Sequence, residues 1–118
     1  MHRKNPLYSK SYDFALKIIQ LYKRVNKEKR EYILSKQLLR SGTSIGANVS
    51  EANGAISTAD FSAKIAIAYK ESLETKYWLS LLKDSDYLGV VEAKRLIADA
   101  DELSRIMFSI LKTTRINK

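Results

Sequence analysis

The chain has 118 residues, of which 45% are hydrophobic and 29% are charged, so it can form one domain with a real core and is not a disordered protein. It has no cysteine, which excludes disulfides and thiolate metal sites, and its single proline and four glycines favour long helices over a many-stranded β fold. The net charge of +8 at pH 7 indicates polyanionic partners, nucleic acid first.

Four helical patterns follow one another along the chain, and no strand pattern competes with them. The first has Ser11 as its expected N-cap and places apolar residues on one face from Phe14 to Val25. The polar link at 26–30 is short, so the second helix is expected to fold back antiparallel to the first. The four predicted helices cover residues 11–25, 31–53, 58–84 and 90–114.

The ends of the later helices carry recognisable capping residues. The second helix is predicted to stop before Gly54, which suits a left-handed C-terminal cap. The third begins at "STAD", where Ser57 or Thr58 can cap the helix and Asp60 faces its positive end. Apolar residues lie on most sides of the third helix, so we expect it to be buried on most sides.

Four helices with short connections predict a single all-α domain over residues 1–118, an antiparallel up-down-up-down four-helix bundle. No apolar run approaches the roughly 20 residues that span a bilayer. The basic N-terminus also lacks the apolar stretch of a signal peptide. We therefore expect a cytoplasmic protein with no membrane partner.

The stretch "SGTSIGANVSEANG" places small and polar residues in the middle of the second helix. Gly42 and Gly46 each cost about 1 kcal/mol relative to alanine, a cost that helices accept most readily where another backbone comes close. A polar stripe lies beside the apolar one, and it needs partners on the third helix because buried polar groups must be hydrogen-bonded. The predicted stripe and its partners are Gln37, Arg40, Ser41, Ser44, Asn48, Glu51, Lys64, Glu71, Ser72 and Glu74.

We interpret this polar stripe as a structural network at a helix–helix or subunit contact. One alternative is a ligand or active site, for which Asn48 and Glu51 are the natural candidates. A solvated face without a special role is the other alternative.

The run from Gln37 to Leu82 resembles a known family. The matching segments are "SIGANVSEA" at 44–52, Ser57, Asp60, Phe61 and Lys64, and "IA.KES.ET.YWL.LL" at 67–82. They are similar to the four-helix-bundle proteins encoded within intervening sequences of bacterial 23S ribosomal RNA genes, and to the related accessory variability protein of diversity-generating retroelements. The first and fourth helices match only in length and apolar pattern. Many members have glycine directly after the glutamate, where this chain has Ala52 after Glu51.

The resemblance implies a homopentamer, with five bundles around a central channel. In the retroelement relatives, the basic pentamer associates with a reverse transcriptase and nucleic acid, which implies a nucleic-acid-processing protein as a possible partner here. It implies no particular enzymatic activity.

The positive charge is concentrated in residues 1–30, which hold nine basic and two acidic residues and so carry +7 of the net +8. Because no helix-turn-helix, zinc finger or RNA-recognition motif is present, binding of RNA or DNA is expected to follow charge and shape. Nearby tyrosines, including Tyr32, offer stacking surfaces. The alternatives are lysines that only solvate the helix, and an acidic protein partner. The candidate nucleic-acid-binding residues are Lys10, Lys17, Lys23, Arg24, Lys27, Lys29 and Arg30.

Catalytic and metal chemistry have little support in the sequence. The only histidine is His2, and the Glu-x-x-His repeat of di-iron bundles is absent. Glu71 and Glu74 share a helix face and could bind a cation with Glu51, but pairing with Arg40 or Lys64 is favoured. We predict a protein without catalytic activity, metal or cofactor.

The predicted function is therefore that of a non-catalytic oligomeric bundle, a nucleic-acid-associated accessory protein that binds RNA or DNA through basic surface. The alternative is a structural or adaptor oligomer with a protein partner and no direct nucleic-acid binding. An enzyme that uses the three glutamates is a distant third reading.

Overall fold

The computed structural model describes residues 6–116, so His2 and the basic residues Arg3 and Lys4 lie outside the described residues. Within this range the chain forms four α-helices and no strand. The molecule is 47 Å long and 22 Å wide in both other directions, close to the roughly 40 Å length of a 27-residue helix. The helices are α1 (Pro6–Lys29), α2 (Leu34–Asn53), α3 (Thr58–Asp84) and α4 (Val90–Ile116).

The core runs the length of the helices and is built from apolar residues at helical spacing. Helix α2 packs against α1 and α3, and α3 packs against α4, whereas α1 and α4 make few direct contacts. Each fully buried leucine or isoleucine side chain stabilises the fold by about 1.5–3 kcal/mol. Buried core residues include Phe14, Ile18, Leu21, Leu38, Ile45, Val49, Ile65, Leu79, Leu82, Leu96, Leu103 and Met107.

Helix α1 is longer than the sequence pattern predicted. It begins at Pro6, since proline is tolerated in the first turn, where a backbone N–H would have no partner within the helix. The predicted N-cap at Ser11 is wrong, because Ser11 is buried inside the helix and its Oγ donates to the carbonyl oxygen of Tyr8 at 3.0 Å. Leu7 joins the core one turn earlier. At the other end, α1 continues to Lys29.

The ends of the other helices show which capping predictions hold. The Ser57 Oγ accepts a hydrogen bond from the Asp60 N–H at 3.0 Å, which confirms the cap of α3. The left-handed cap expected at Gly54 is wrong, since Gly54 has φ −99°. Left-handed residues are instead Arg30 (φ 51°) and Asp86 (φ 68°), which follow α1 and α3.

The glycines of α2 face α1 of the same chain. A Cβ atom on Gly42 would lie 2.9 Å from Cγ2 of Ile18, and one on Gly46 would lie 3.4 Å from the backbone oxygen of Ser11. The close approach expected from the two glycines is therefore present, and it joins two helices of one molecule. Ala47, the next residue, is exposed.

Helix α3 has one buried face, contrary to the expectation that it is buried on most sides. Its core face includes Ile65, Leu79 and Leu82. On the outer side, Ile67 is 43% exposed and Tyr77 is 57% exposed. The chain alone thus leaves an apolar surface on α3 in contact with solvent.

We expect Gly46→Leu to destabilise the protein by about 1–3 kcal/mol, because the larger side chain must push α1 away from α2. Gly46→Ala is the matched control, since its Cβ atom fits at van der Waals distance and alanine favours the helix by about 1 kcal/mol. Urea unfolding measures both. Equal midpoints for the two variants would contradict the close packing of α1 on α2.

Candidate nucleic-acid interface

All seven predicted nucleic-acid-binding residues lie on the surface of α1 or directly after it, and all are exposed. They divide into two groups according to whether a carboxylate lies beside them. The division decides which positive charges are available to a polyanion.

Three of the seven lie on the side of α1 that faces α4, and each forms an ion pair there. Exposed pairs of this kind contribute only about 0–1 kcal/mol to stability, but each places a carboxylate against the cation. The hydrogen bond to Glu92 is the main reason why the pKa of Arg24 is raised above its ordinary value. The pairs are Lys10–Glu102 (3.0 Å), Lys17–Asp99 (3.2 Å) and Arg24–Glu92.

A groove runs between α1 and α4 where the two helices make few contacts. Its larger section has a volume of about 480 Å³, with Leu21 and Leu96 among its lining residues. The charges along the two sections are balanced, so the groove as a whole offers no excess positive charge. The basic lining residues are Lys10, Lys17, Arg24 and Arg95, and the acidic ones are Asp13, Glu92, Asp99 and Glu102.

The other four predicted residues lie at the end of α1. Within residues 6–116, no carboxylate lies within ion-pair distance of these four side chains. Lys36, in the first turn of α2, is also exposed and unpaired among the described residues, and the sequence reading missed it because it lies outside residues 1–30. We call this group the turn cluster: Lys23, Lys27, Lys29, Arg30 and Lys36, together with Tyr32.

The turn between α1 and α2 is held by a buried carboxylate. Helix α2 begins at Leu34 and not at the predicted residue 31, because Glu31 folds back as a cap. Its carboxylate accepts hydrogen bonds from the backbone N–H groups of Ile33 (3.0 Å), Leu34 (2.9 Å) and Ser35 (2.7 Å). Burial by itself would raise the pKa of Glu31. The hydrogen bonds together lower it by more than burial raises it, so the pKa lies below its ordinary value.

Ser35 fixes the same turn to the end of α1. Its Oγ lies 3.1 Å from Oδ1 of Asn26 and 2.8 Å from the carbonyl oxygen of Glu31. With both ends of the turn tied down, Tyr32 and Ile33 point into solvent, 57% and 76% exposed. The turn therefore presents an aromatic and an aliphatic side chain among unpaired cations.

The structure also brings part of the polar stripe together. Arg40 bonds Glu71 at 3.2 Å and also Glu74, which accepts a further bond from Nε1 of Trp78 at 2.8 Å. The Trp78 bond, followed by the contact with Arg40, lowers the pKa of Glu74. Arg40 and Trp78 thus occupy the carboxylates that a cation would have needed.

Most of the remaining stripe residues bond either within their own helix or across to a neighbouring helix. Within α2, Ser44 bonds the carbonyl of Arg40 and Asn48 bonds the carbonyl of Ser44. The other bonds cross between helices, and Ser72 faces α4 instead of α2. These pairs are Ser41–Thr75 (3.0 Å), Glu51–Lys64 (2.9 Å) and Ser72–Ser104 (2.7 Å).

Residues 6–116 contain neither a candidate metal site nor a candidate membrane span. No group of three or more histidine, cysteine, aspartate or glutamate side chains in that range is arranged to hold a metal ion. No helix in the same range is long and apolar enough to cross a membrane.

Comparison with known proteins extends the similarity beyond α2 and α3. A family model described as 23S rRNA-intervening sequence protein matches residues 3–109. A 1.70 Å crystal structure of a protein with unknown function from the S23 ribosomal protein family of Bacteroides thetaiotaomicron VPI-5482 superposes with a TM-score of 0.88. It is 45% identical, and the match covers 90% of this chain and 98% of that chain. No curated protein matches.

We expect Glu31→Gln to destabilise the protein by about 1–2 kcal/mol at pH 7, because the charged cap of α2 is lost. The folded-state pKa of Glu31 is lowered, so its contribution is present above the ordinary value of 4.5 and disappears as the pH falls below it. The difference between wild type and variant, measured by urea unfolding from pH 7 to pH 3, should therefore shrink below 4.5. The control is Glu28→Gln, which removes an exposed carboxylate from the end of α1, three residues before Glu31. A difference that stays constant with pH would contradict this role.

Proposed function

The chain belongs to the family of 23S rRNA-intervening sequence proteins, and from that premise we propose that it is a cytoplasmic, non-catalytic accessory protein that binds RNA or DNA. The observation that carries the proposal is the turn cluster, where five exposed cations lie without carboxylate partners among the described residues. Phosphates that contact them would release condensed counterions, so affinity would depend strongly on salt.

The proposed contact is narrower than the basic surface predicted from sequence. Lys10, Lys17 and Arg24 are ion-paired with carboxylates on α4, so we propose that they contribute less to nucleic-acid binding than the turn cluster does. Lys27 and Lys29 also lie in the last turn of α1, where positive charge offsets the partial negative charge of the helix end. Lys23, Arg30 and Lys36 add charge beyond what that helix end requires.

We further propose that the helices form an antiparallel up-down-up-down bundle. The ion pairs across the α1–α4 groove support this arrangement, since the residue number falls along α4 as it rises along α1. The short connections between successive helices support it as well.

The proposed assembly is a homopentamer, and its support in the chain is the outer face of α3. Leu73 and Tyr77 are exposed one turn apart, and Ile67 is exposed nearer the start of the same helix; exposed apolar side chains grouped on one helix are typical of protein contacts. A ring would display the turn cluster five times, so weak phosphate contacts would add through effective concentration. Because Gly42 and Gly46 are covered by α1 of the same chain, we assign the subunit contact to α3.

The alternative is an adaptor oligomer with a protein partner and no direct nucleic-acid binding. Its supporting observation is a second apolar surface on α1, where Tyr12 and Leu16 are exposed one turn apart. The ring of Tyr8 stacks against Tyr12 with centroids 6.1 Å apart. We propose no catalytic role for Glu51, Glu71 and Glu74, since each is ion-paired.

A salt titration with structured RNA and duplex DNA tests the proposal. We expect binding at low salt that falls steeply as salt rises. Replacing the four predicted turn-cluster cations Lys23, Lys27, Lys29 and Arg30 by glutamine should reduce the slope of log K against log [salt] by about three to four. A control that removes the same number of charges elsewhere, with Lys10, Lys17, Lys94 and Lys112 replaced by glutamine, should change the slope much less. No binding by the wild type at low salt, or equal slopes for the two variants, would contradict the proposed surface.

For the assembly, we expect light scattering after size-exclusion chromatography to give five times the chain mass of 13.5 kDa. Ile67→Glu should lower this mass while circular dichroism shows retained helix, because it places a charge on the proposed subunit contact. Ile56→Glu, at an exposed residue between α2 and α3, should leave the mass unchanged. A wild-type mass of one chain would refute the ring.

A further inference from the structure

We infer that the turn cluster is a site for single-stranded nucleic acid, in which Tyr32 stacks on an unpaired base and the surrounding cations hold the neighbouring phosphates. The inference rests on the proposed function and specifies its ligand. An aromatic ring set among basic side chains is the usual means by which proteins bind single strands, since every base offers a face for stacking.

The first observation is the position of Tyr32. Tyr32 is more than half exposed and lies in the turn itself, so its ring is open to a ligand. Arg30 precedes it by two residues and Lys36 follows it by four, and both are exposed. A ring at this position has cations on both sides along the chain, which matches a strand that crosses the turn with one base on the ring and its phosphates to either side.

The second observation is that hydrogen bonds within the protein hold the turn without any contribution from a ligand. The carboxylate of Glu31 accepts three backbone hydrogen bonds, and Ser35 bonds both Asn26 and the carbonyl of Glu31. Tyr32 lies between the residues that these bonds fix. Stacking therefore orders little of the backbone, and a preorganised site loses less entropy when it binds.

The third observation is the left-handed backbone of Arg30. Its φ is 51°, and its N–H donates to the carbonyl oxygen of Asn26 at 3.2 Å, which is the arrangement that ends many helices with glycine. Arginine is less stable than glycine in this conformation. Its guanidinium has no carboxylate partner within residues 6–116, so the fold itself does not use the charge. We therefore assign the Arg30 guanidinium to contact with a ligand phosphate.

The geometry favours an unpaired strand over a duplex. Tyr32 cannot stack on a base that is already stacked inside a double helix, and the balanced α1–α4 groove offers no long positive track for a duplex backbone. Since Arg24 bonds Glu92, the start of α4 lies beside the end of α1. Asp84, the last residue of α3, and Asp86, in the connection to α4, are both exposed and bring negative charge to this end of the bundle. The contact is therefore limited to a few nucleotides.

Fluorescence anisotropy with the full chain at low salt tests the inference, using a labelled 12-nucleotide oligouridine and a 12-base-pair RNA duplex as probes. We expect Tyr32→Ala to weaken binding of the single strand by about 5- to 100-fold, the loss of one stacked base, and to change duplex binding less than twofold. Tyr32→Phe should keep the wild-type affinity because the ring remains. Tyr12→Ala is the matched control, as Tyr12 is similarly exposed but lies away from the turn.

A second variant separates ligand binding from folding. Arg30→Gly should raise the urea midpoint, because glycine suits the left-handed position, and should weaken binding of the single strand severalfold. Equal losses for Tyr32→Ala and Tyr12→Ala, or equal losses of single-strand and duplex binding for Tyr32→Ala, would overturn the inference and leave the proposed function standing. Failure of the wild type to bind either probe would overturn both.

Discussion

The contact between α1 and the glycine-lined face of α2 sets the positions of the other features. Ile18 lies where a side chain on Gly42 would be, and the backbone of Ser11 lies against Gly46. Two glycines weaken α2 on its own, by about 1 kcal/mol each, and the close packing of α1 offsets that loss. With α1 seated in this way, its opposite flank faces α4 and its last turn leads directly into α2. The paired and the unpaired cations follow from that placement.

The charge on α1 shows why a count of basic residues overstates a binding surface. Lys10, Lys17 and Arg24 account for three of the predicted cations, yet each faces a carboxylate on α4. The partners lie some 70 to 90 residues further along the chain, so the local net charge of residues 1–30 takes no account of them. Lys36 is the opposite case. It lies outside the basic segment 1–30, but the fold places it at the same turn as the unpaired cations of α1. The surface that remains is smaller and lies at one turn.

Much of the fold is readable from the sequence, because apolar spacing determines which face of each helix is buried. The predicted ranges of α3 and α4 nearly coincide with the observed helices, and the Ser57 cap holds. The start of α1 and the start of α2 were missed for local reasons. Ser11 has the chemistry of a cap but is needed in the core, and Glu31 resembles the first residue of a helix but bonds the N–H groups of that helix from outside. Small residues in α2 indicate that another backbone comes close. They do not indicate whether that backbone belongs to the same chain or to a second copy.

The open side between α1 and α4 affects how the protein unfolds. Helices α1 and α4 are each packed closely against one neighbour, whereas α2 and α3 are each packed between two. Segments with few buried contacts open at lower free energy than the rest of a fold, and their amide hydrogens exchange first. Opening of α1 would also separate Ser35 from Asn26 and loosen the turn that displays Tyr32. A ligand held at that turn would therefore stabilise one of the two outer helices, and slower amide exchange in α1 would accompany occupancy of a site at its end.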